Sequence, residues 1–300
     1  MKKVLITGAS GLVGRHLTYF LQQKNYPIAH LGRNRYPLPL VESYTWNITK
    51  GEIEKEAFQK ANIIVHLAGA NVAQQRWTSE RKKEILESRT KSTQLLYDVL
   101  KEGNHQVDTF ISASAIGIYG NTGDNVATEK SAAANDFLAQ VTVAWEKEVD
   151  KIATLGIRTL KLRIGVVFAK GDGALHKIAQ PIKYFVGAPL GSGNQFISWI
   201  HIEDLCRMIL FLMENETLSG VFNAVSPHPI TNKDLTYTIA KVLHRPILLP
   251  NVPDFILKAM LGEMATVVLN SCRASADKIL QAGFQFNHVD VVRAVKSLLR

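Results

Sequence analysis

Short apolar, β-branched runs alternate along the first half of the chain with segments whose apolar residues recur every three or four positions. Lys3–Thr7, Pro27–Leu31, Ile63–Leu67, Thr109–Ser114 and Thr159–Phe168 each read as a strand. Lys3–Thr7, short and β-branched, reads as a buried one. Helical spacing appears between the strands, over Leu12–Gln23, Ser79–Lys101 and Phe137–Ala153. In the longest helix Ile85, Leu95, Leu96, Val99 and Leu100 make the apolar stripe, and Arg81-Lys82-Lys83 is expected on the wet face.

Strands that alternate with helices imply parallel βαβ units. The fold class is therefore α/β, a Rossmann-type doubly wound parallel sheet. After about residue 170 the pattern loosens. Gly and Pro punctuate 171–193, and helices are expected at 203–214, 232–243, 253–269, 275–282 and 288–299. Gly283 stands where a C′ glycine would end the fourth of these. The division expected is a Rossmann-type sheet domain over 1–170 and a smaller, mainly helical region over 171–300.

Composition narrows the function classes. Hydrophobic residues make up 46% and charged residues 20%, an ordinary globular balance. The net charge of +9 favours anionic small molecules. Its lysines and arginines are scattered without aromatic interleaving, so no nucleic-acid partner is expected. Cys206 and Cys272 belong to no CxxC or Cys/His cluster, so no metal site and no disulfide framework is expected. No apolar run is long enough to span a bilayer. A cytoplasmic protein with a small-molecule substrate and no membrane partner is the expectation.

The sharpest local signal is VLITGASGLVGRHL. Gly8, Gly11 and Gly14 fall between a strand and a helix, in the order G-x-x-G-x-x-G. Glycines there let the backbone amides of Ser10, Leu12 and Val13 approach a diphosphate, which the helix N-terminus also attracts. The second strand then ends in Gly32-Arg33-Asn34-Arg35. An acid at this point would take a ribose 2′-hydroxyl; guanidinium groups suit a 2′-phosphate instead. NADP(H) is therefore preferred over NAD(H), with Arg33, nearer the strand end, the better candidate.

These residues resemble the extended short-chain dehydrogenase/reductase superfamily, which includes nucleotide-sugar epimerases and dehydratases. HLAGA at 66–70, ISASAIGIYG at 111–120 and APLGSGNQFISWIHIEDL at 188–205 carry the resemblance. The tail, LPNVPDFILKAMLGEMATVVLN followed by KILQAGFQF, resembles the atypical "epimerase family protein" branch. That resemblance implies cofactor contacts from Leu67, Ala68 and Gly69 after the strand, from Glu84 and Arg89 on the long helix, and from Val166 near the nicotinamide. The alternative for Glu84 and Arg89 is a helix-surface pair, and for Val166 a core strand valine. The resemblance also implies that 171–300 is the substrate side, with 248–300 as a C-terminal extension.

Members of the superfamily ordinarily move a proton with Tyr-x-x-x-Lys. Here the matching positions are Leu138 and Thr142, and 136–146 holds neither Tyr nor Lys. Ser114 stands where a substrate-orienting serine is expected, and Tyr119 follows it; both are candidate catalytic residues, each with a structural alternative. His201 could titrate near neutrality or merely cap a helix. Gly187–Gly193, Gln195 and Trp199 could border a substrate pocket or form a tight connection. Two functions follow: an NADP(H)-dependent oxidoreductase or epimerase-like enzyme acting on a small carbonyl or hydroxyl compound or a nucleotide sugar, or a non-catalytic NADPH-binding redox sensor acting through a protein partner.

Overall fold

The computed structural model describes residues 1–300. Its first half runs Val4–Thr7 (β1), Leu12–Gln23 (α1), Ile28–Gly32 (β2), Val41–Asn47 (β3), Glu52–Ile53 (β4), Glu56–Gln59 (α2), Ile63–His66 (β5), Ser79–Lys101 (α3) and Thr109–Ala115 (β6). A 3-10 turn at Ile116–Tyr119 and a short strand, Val126–Ala127 (β7), lead to Phe137–Ala153 (α4), Arg158–Ile164 (β8) and Val166–Phe168 (β9). Next come Gly173–Lys183 (α5), Phe196–Ile197 (β10), Trp199–His201 (β11), Ile202–Glu214 (α6), Gly220–Ala224 (β12), Ile230–Thr231 (β13) and Asn232–Leu243 (α7). The chain ends with Asp254–Leu261 (α8), Thr266–Leu269 (α9), Arg273–Ala274 (β14), Asp277–Gln281 (α10) and Val291–Leu299 (α11).

Eight strands form the main sheet in the order β12-β8-β6-β5-β1-β2-β3-β4. All pair in parallel except β4, which returns antiparallel to β3. Successive side chains point to opposite faces and both faces are covered, so β1 and β5 are apolar almost throughout, while β8 alternates Leu160 and Leu162 with Lys161 and Arg163. Val4, Ile6, Ile63 and Val65 point into one core, which α1 and α6 cover. Leu5, Ile64, Ala29 and Leu31 point into the other, covered by α3 and α4. A third core joins α5, α7 and α11 around Phe168 and Trp199.

Several expectations are corrected. The run Thr159–Phe168 is two strands. An added Cβ on Gly165 would lie 2.5 Å from the Ser198 carbonyl oxygen. The chain turns at this close approach, so β8 stays in the main sheet while β9 pairs with β11. The segment 171–193 contains α5, started by an Asp172 side chain that accepts from the Gly173 amide. Its Pro181 lies close enough to the end that the lost amide does not stop the helix from forming. The expected helix over 253–269 breaks at Gly262, where φ is +60°. Strands β3 and β12 are additional to the expected ones: β3 is half-polar and β12 is a short run with a buried asparagine, so neither stands out as an apolar run. Arg81 is buried, not on the wet face: its guanidinium donates to the Asn71 carbonyl and pairs with Glu84 at 2.5 Å. Gly283 does end α10, with its amide on Leu280 O and that of Phe284 on Ile279 O.

The C-terminal segment is clamped to α6 by one carboxylate. Asp204 is fully buried and accepts from the amides of Asn287 (2.9 Å) and His288 (2.8 Å) and from Arg207 (2.8 Å). Asp204→Ala leaves those donors unmatched and should destabilise by about 3 kcal/mol. Limited proteolysis should then release the segment around α11 before the sheet unfolds. Cleavage no faster than in the parent chain would contradict the clamp.

Three histidines are buried. Burial pushes His30 down to about 4; burial and Arg89 push His66 to about 3; burial and His288 push His201 to about 4. An unfolded imidazole titrates near 6.5. Below that value the unfolded chain binds protons that the folded chain does not, so stability is full above pH 6.5 and falls as pH drops toward the folded values. The urea midpoint should begin to fall near pH 6.5, before carboxylates titrate. A midpoint unchanged between pH 7 and 5 would contradict this.

Candidate cofactor-binding site

The turn between β1 and α1 is shaped by what glycine lacks. Gly8 has φ +68°, and a Cβ there would lie 2.8 Å from the Leu67 carbonyl and the Ala68 amide. A Cβ on Gly14 would lie 2.4 Å from Gly8 O. The turn therefore presses against the end of β5 on one side and against its own helix on the other. Gly11 is the N-cap of α1 and supplies no side-chain cap, and the first turn holds no acid. The opening amides of Leu12, Val13 and Gly14 are left for an external acceptor. Ser10 is exposed beside them, its carbonyl accepting from Arg15 at 2.8 Å.

A cavity of about 1510 Å³ opens from this turn. Gly8, Ser10 and Gly11 form its floor, Gly32 and Arg33 one end, and Leu67, Ala68, Gly69 and Glu84 the other side. Arg33 is exposed and makes no ion pair. Arg35 is already engaged: it donates to Ser43 O at 2.9 Å and to both Glu54 oxygens at 2.9 and 3.1 Å. Glu54 also accepts from Thr45 at 2.7 Å. Sequence reasoning found no acid at the end of β2. The β3–β4 hairpin brings one from twenty-odd residues further on, and nothing local to β2 marks it.

Opposite the turn, Thr7 ties β1 to β5. Its hydroxyl meets His66 Nδ1 at 2.7 Å and accepts from the Leu67 and Ala68 amides at 3.2 and 3.3 Å. Ser88 of α3 accepts from the Ala70 amide at 3.0 Å. These bonds fix the backbone of 67–70 along the groove. Gly69 lies against the Arg89 side chain, with a Cβ position 3.2 Å from its guanidinium carbon. Arg89 stacks over the Trp145 ring at 5.3 Å and donates to Ile85 O at 2.9 Å. Burial, then neighbouring Arg81, lowers its pKa to about 10. No carboxylate pairs with it; Glu84 pairs with Arg81 instead, so the two do not form a helix-surface pair.

Leu12 and Val13 pack their side chains against the α1/α6 core. Val166 begins β9, half-buried, its amide on Ser198 O at 2.8 Å.

Ser114 and Tyr119 come together, but in a buried network. Ser114 donates to Glu146 at 2.6 Å. Arg163 grips both Glu146 oxygens at 2.8 and 2.9 Å and donates to the Tyr119 hydroxyl at 3.0 Å. Tyr119 in turn donates to Asn223 at 2.7 Å. Burial raises the Tyr119 pKa against the opposing pull of Arg163. Burial would raise Glu146 too, but Arg163 and Ser114 outweigh it and the carboxyl is lowered. Neither hydroxyl lines the groove. On α4, Leu138 packs against Gly117 and the Thr142 hydroxyl donates to Leu138 O.

The outer candidates are structural. Trp199 is fully buried, stacked on Phe168 at 5.2 Å, with its indole N–H on His228 O. Gln195 ties Leu190 to Val268 through their carbonyls. His201 caps α6 by accepting from the Glu203 amide and stacks on His288 at 3.6 Å.

Residues 4–226 match the model of the NAD dependent epimerase/dehydratase family, and 252–298 match a domain of unknown function, DUF1731. The epimerase family protein YfhF of Bacillus subtilis is 35% identical over 99% of this chain and 97% of its own. The crystal structure of human epimerase family protein SDR39U1 with NADPH is 26% identical, with a TM-score of 0.87 over 99% of this chain and 98% of that one. A nucleoside-diphosphate sugar epimerase from Corynebacterium glutamicum is 30% identical, with a TM-score of 0.81 over 99% of this chain but 58% of its own. With its parallel sheet, glycine turn and C-terminal extension, this chain belongs to the NAD-dependent epimerase/dehydratase family, in the epimerase family protein branch.

Proposed function

We propose that the groove binds NADP(H) and that the chain is an NADP(H)-dependent oxidoreductase or epimerase-like enzyme. Its substrate class is a small carbonyl or hydroxyl compound or a nucleotide sugar. The observation that carries this is the uncapped α1 N-terminus opening into a groove whose far end holds the unpaired Arg33. Amides of Ser10, Leu12 and Val13 would hold the diphosphate, with Gly8, Gly11 and Gly14 giving it room. Gly32 and Arg33 would meet the 2′-phosphate. Backbone of Leu67, Ala68 and Gly69 would follow the nicotinamide half, flanked by Glu84, Arg89 and Val166. The human relative was crystallised with NADPH, which supports the choice of coenzyme.

When bound, the cofactor supplies or accepts a hydride at nicotinamide C4. The chain's own task is then to exclude water, orient the substrate and provide for a proton. Ser114 and Tyr119 have their protons on Glu146 and Asn223. Freeing either would break a buried, charge-assisted network. This favours a proton from the substrate or from water, and a slower reaction than a Tyr/Lys pair supports.

The same network favours a second function, a non-catalytic NADPH-binding redox sensor. Product formation decides between them. The enzyme should either oxidise NADPH with a carbonyl compound, followed by absorbance, or, as an epimerase with no net change in the coenzyme, convert a nucleotide sugar to its epimer in the presence of NADP+, followed by chromatography. Tight binding with neither outcome for any compound would leave the sensor.

Arg33→Ala should weaken NADPH binding roughly ten- to a hundredfold, the worth of charge-assisted bonds to a phosphate, and leave NADH nearly unchanged. Equal losses for both, measured by fluorescence titration, would remove the phosphate contact.

A further inference from the structure

Glu54, just after β4, lines the groove with Gly32 and Arg33, at the strand end where a ribose-binding acid would act. Gly32, the last residue of β2, pairs with Thr45 of β3. The Glu54 amide bonds back to Thr45 O at 3.0 Å, and the Thr45 hydroxyl fixes the Glu54 carboxylate at 2.7 Å. Arg33, Arg35, Thr45 and Glu54 all line the same end of the groove. The carboxylate is thus two neighbours from the strand end where the cofactor's ribose would rest. Thr45 first, and Arg35 after it, hold its carboxyl below the usual carboxylate range, so it is ionised at neutral pH.

We propose that Glu54 is a specificity-determining residue: by occupying Arg35 and offering a ribose acceptor, it keeps the groove open to NAD(H) as well as NADP(H). This rests on the groove being the coenzyme site. Arg35 has its fork turned toward Ser43 O and the two Glu54 oxygens. Held there, it adds little to a 2′-phosphate, and its charge is cancelled locally. Arg33 alone then attracts the phosphate, while the Glu54 carboxylate repels it. A free 2′-hydroxyl meets the opposite balance, because an ionised acid accepts its hydrogen bond. The pair is partly exposed, with side chains 63% and 31% accessible, so the effect is moderate and falls with added salt.

The test uses the full chain and measures Kd for NADPH, NADH, 2′,5′-ADP and 5′-AMP by calorimetry. The parent chain should bind both coenzymes. Glu54→Gln should raise the preference for NADPH over NADH, and for 2′,5′-ADP over 5′-AMP, roughly fivefold, the reach of one partly exposed charge. Glu54→Asp, which withdraws the carboxylate by one methylene, should shift both ratios in the same direction by less. Adding Arg35→Ala to Glu54→Gln should cancel the part of the gain that acts through the freed guanidinium and keep the part that comes from the lost carboxylate. Ratios unchanged in Glu54→Gln and Glu54→Asp would overturn the role of Glu54 and leave the site standing. A folded parent chain that binds none of the four would overturn the site itself.

Discussion

The contact of Gly8 with the end of β5 is the constraint on which the site depends. Two strands that are not sequence neighbours, β1 and β5, lie side by side. The chain leaving β1 must turn into α1 without colliding with the chain leaving β5. The missing Cβ at Gly8 allows that approach, and the missing Cβ at Gly14 lets α1 close against the turn, at 2.8 and 2.4 Å for the atoms they would add. The same approach exposes the α1 amides and lays the 67–70 backbone alongside them. Thr7 and His66 lock the arrangement from beneath, through a bond to a ring that burial keeps neutral at neutral pH. One steric demand thus yields an anion cradle and a flat backbone wall facing it.

The other end of the sheet shows a different use of polar residues. Ser114, Glu146, Arg163, Tyr119 and Asn223 join β6, the following 3-10 turn, α4, β8 and β12. Asn223 then donates to Ser275 O, carrying the network into the C-terminal extension. A buried carboxylate gripped by a guanidinium is stable only while every partner stays in place. Such a network favours positional rigidity over proton traffic. Hydride chemistry in this chain would then rely on placement of the reactants more than on a tuned side-chain acid.

Much of this was legible in the sequence where it depended on local pattern. The inner strands, α1, α3 and α4, the glycine turn and the Gly283 stop each follow from spacing and from backbone demands. What sequence reasoning missed depended on distance. Glu54 reaches the β2 end only because β4 folds back on β3. Gly165 breaks its strand because the Ser198 carbonyl, thirty-odd residues away, crosses close by. Arg81 is buried because a loop carbonyl at Asn71 turns toward it. Trp199 and Gln195 stood in a loop of the right composition for a pocket, yet their partners are protein groups. Ser114 and Tyr119 had the right residue types at the right strand end, but the neighbouring Glu146 and Arg163 determine what their hydroxyls do.

The central claim is that the α1 amides and Arg33 together hold one dinucleotide. A structure of the chain grown with NADPH tests it most directly. The account predicts the diphosphate within hydrogen-bond reach of the Leu12 and Val13 amides and the 2′-phosphate against Arg33. A dinucleotide bound elsewhere, or a groove that stays empty at saturating NADPH in well-folded protein, would contradict it.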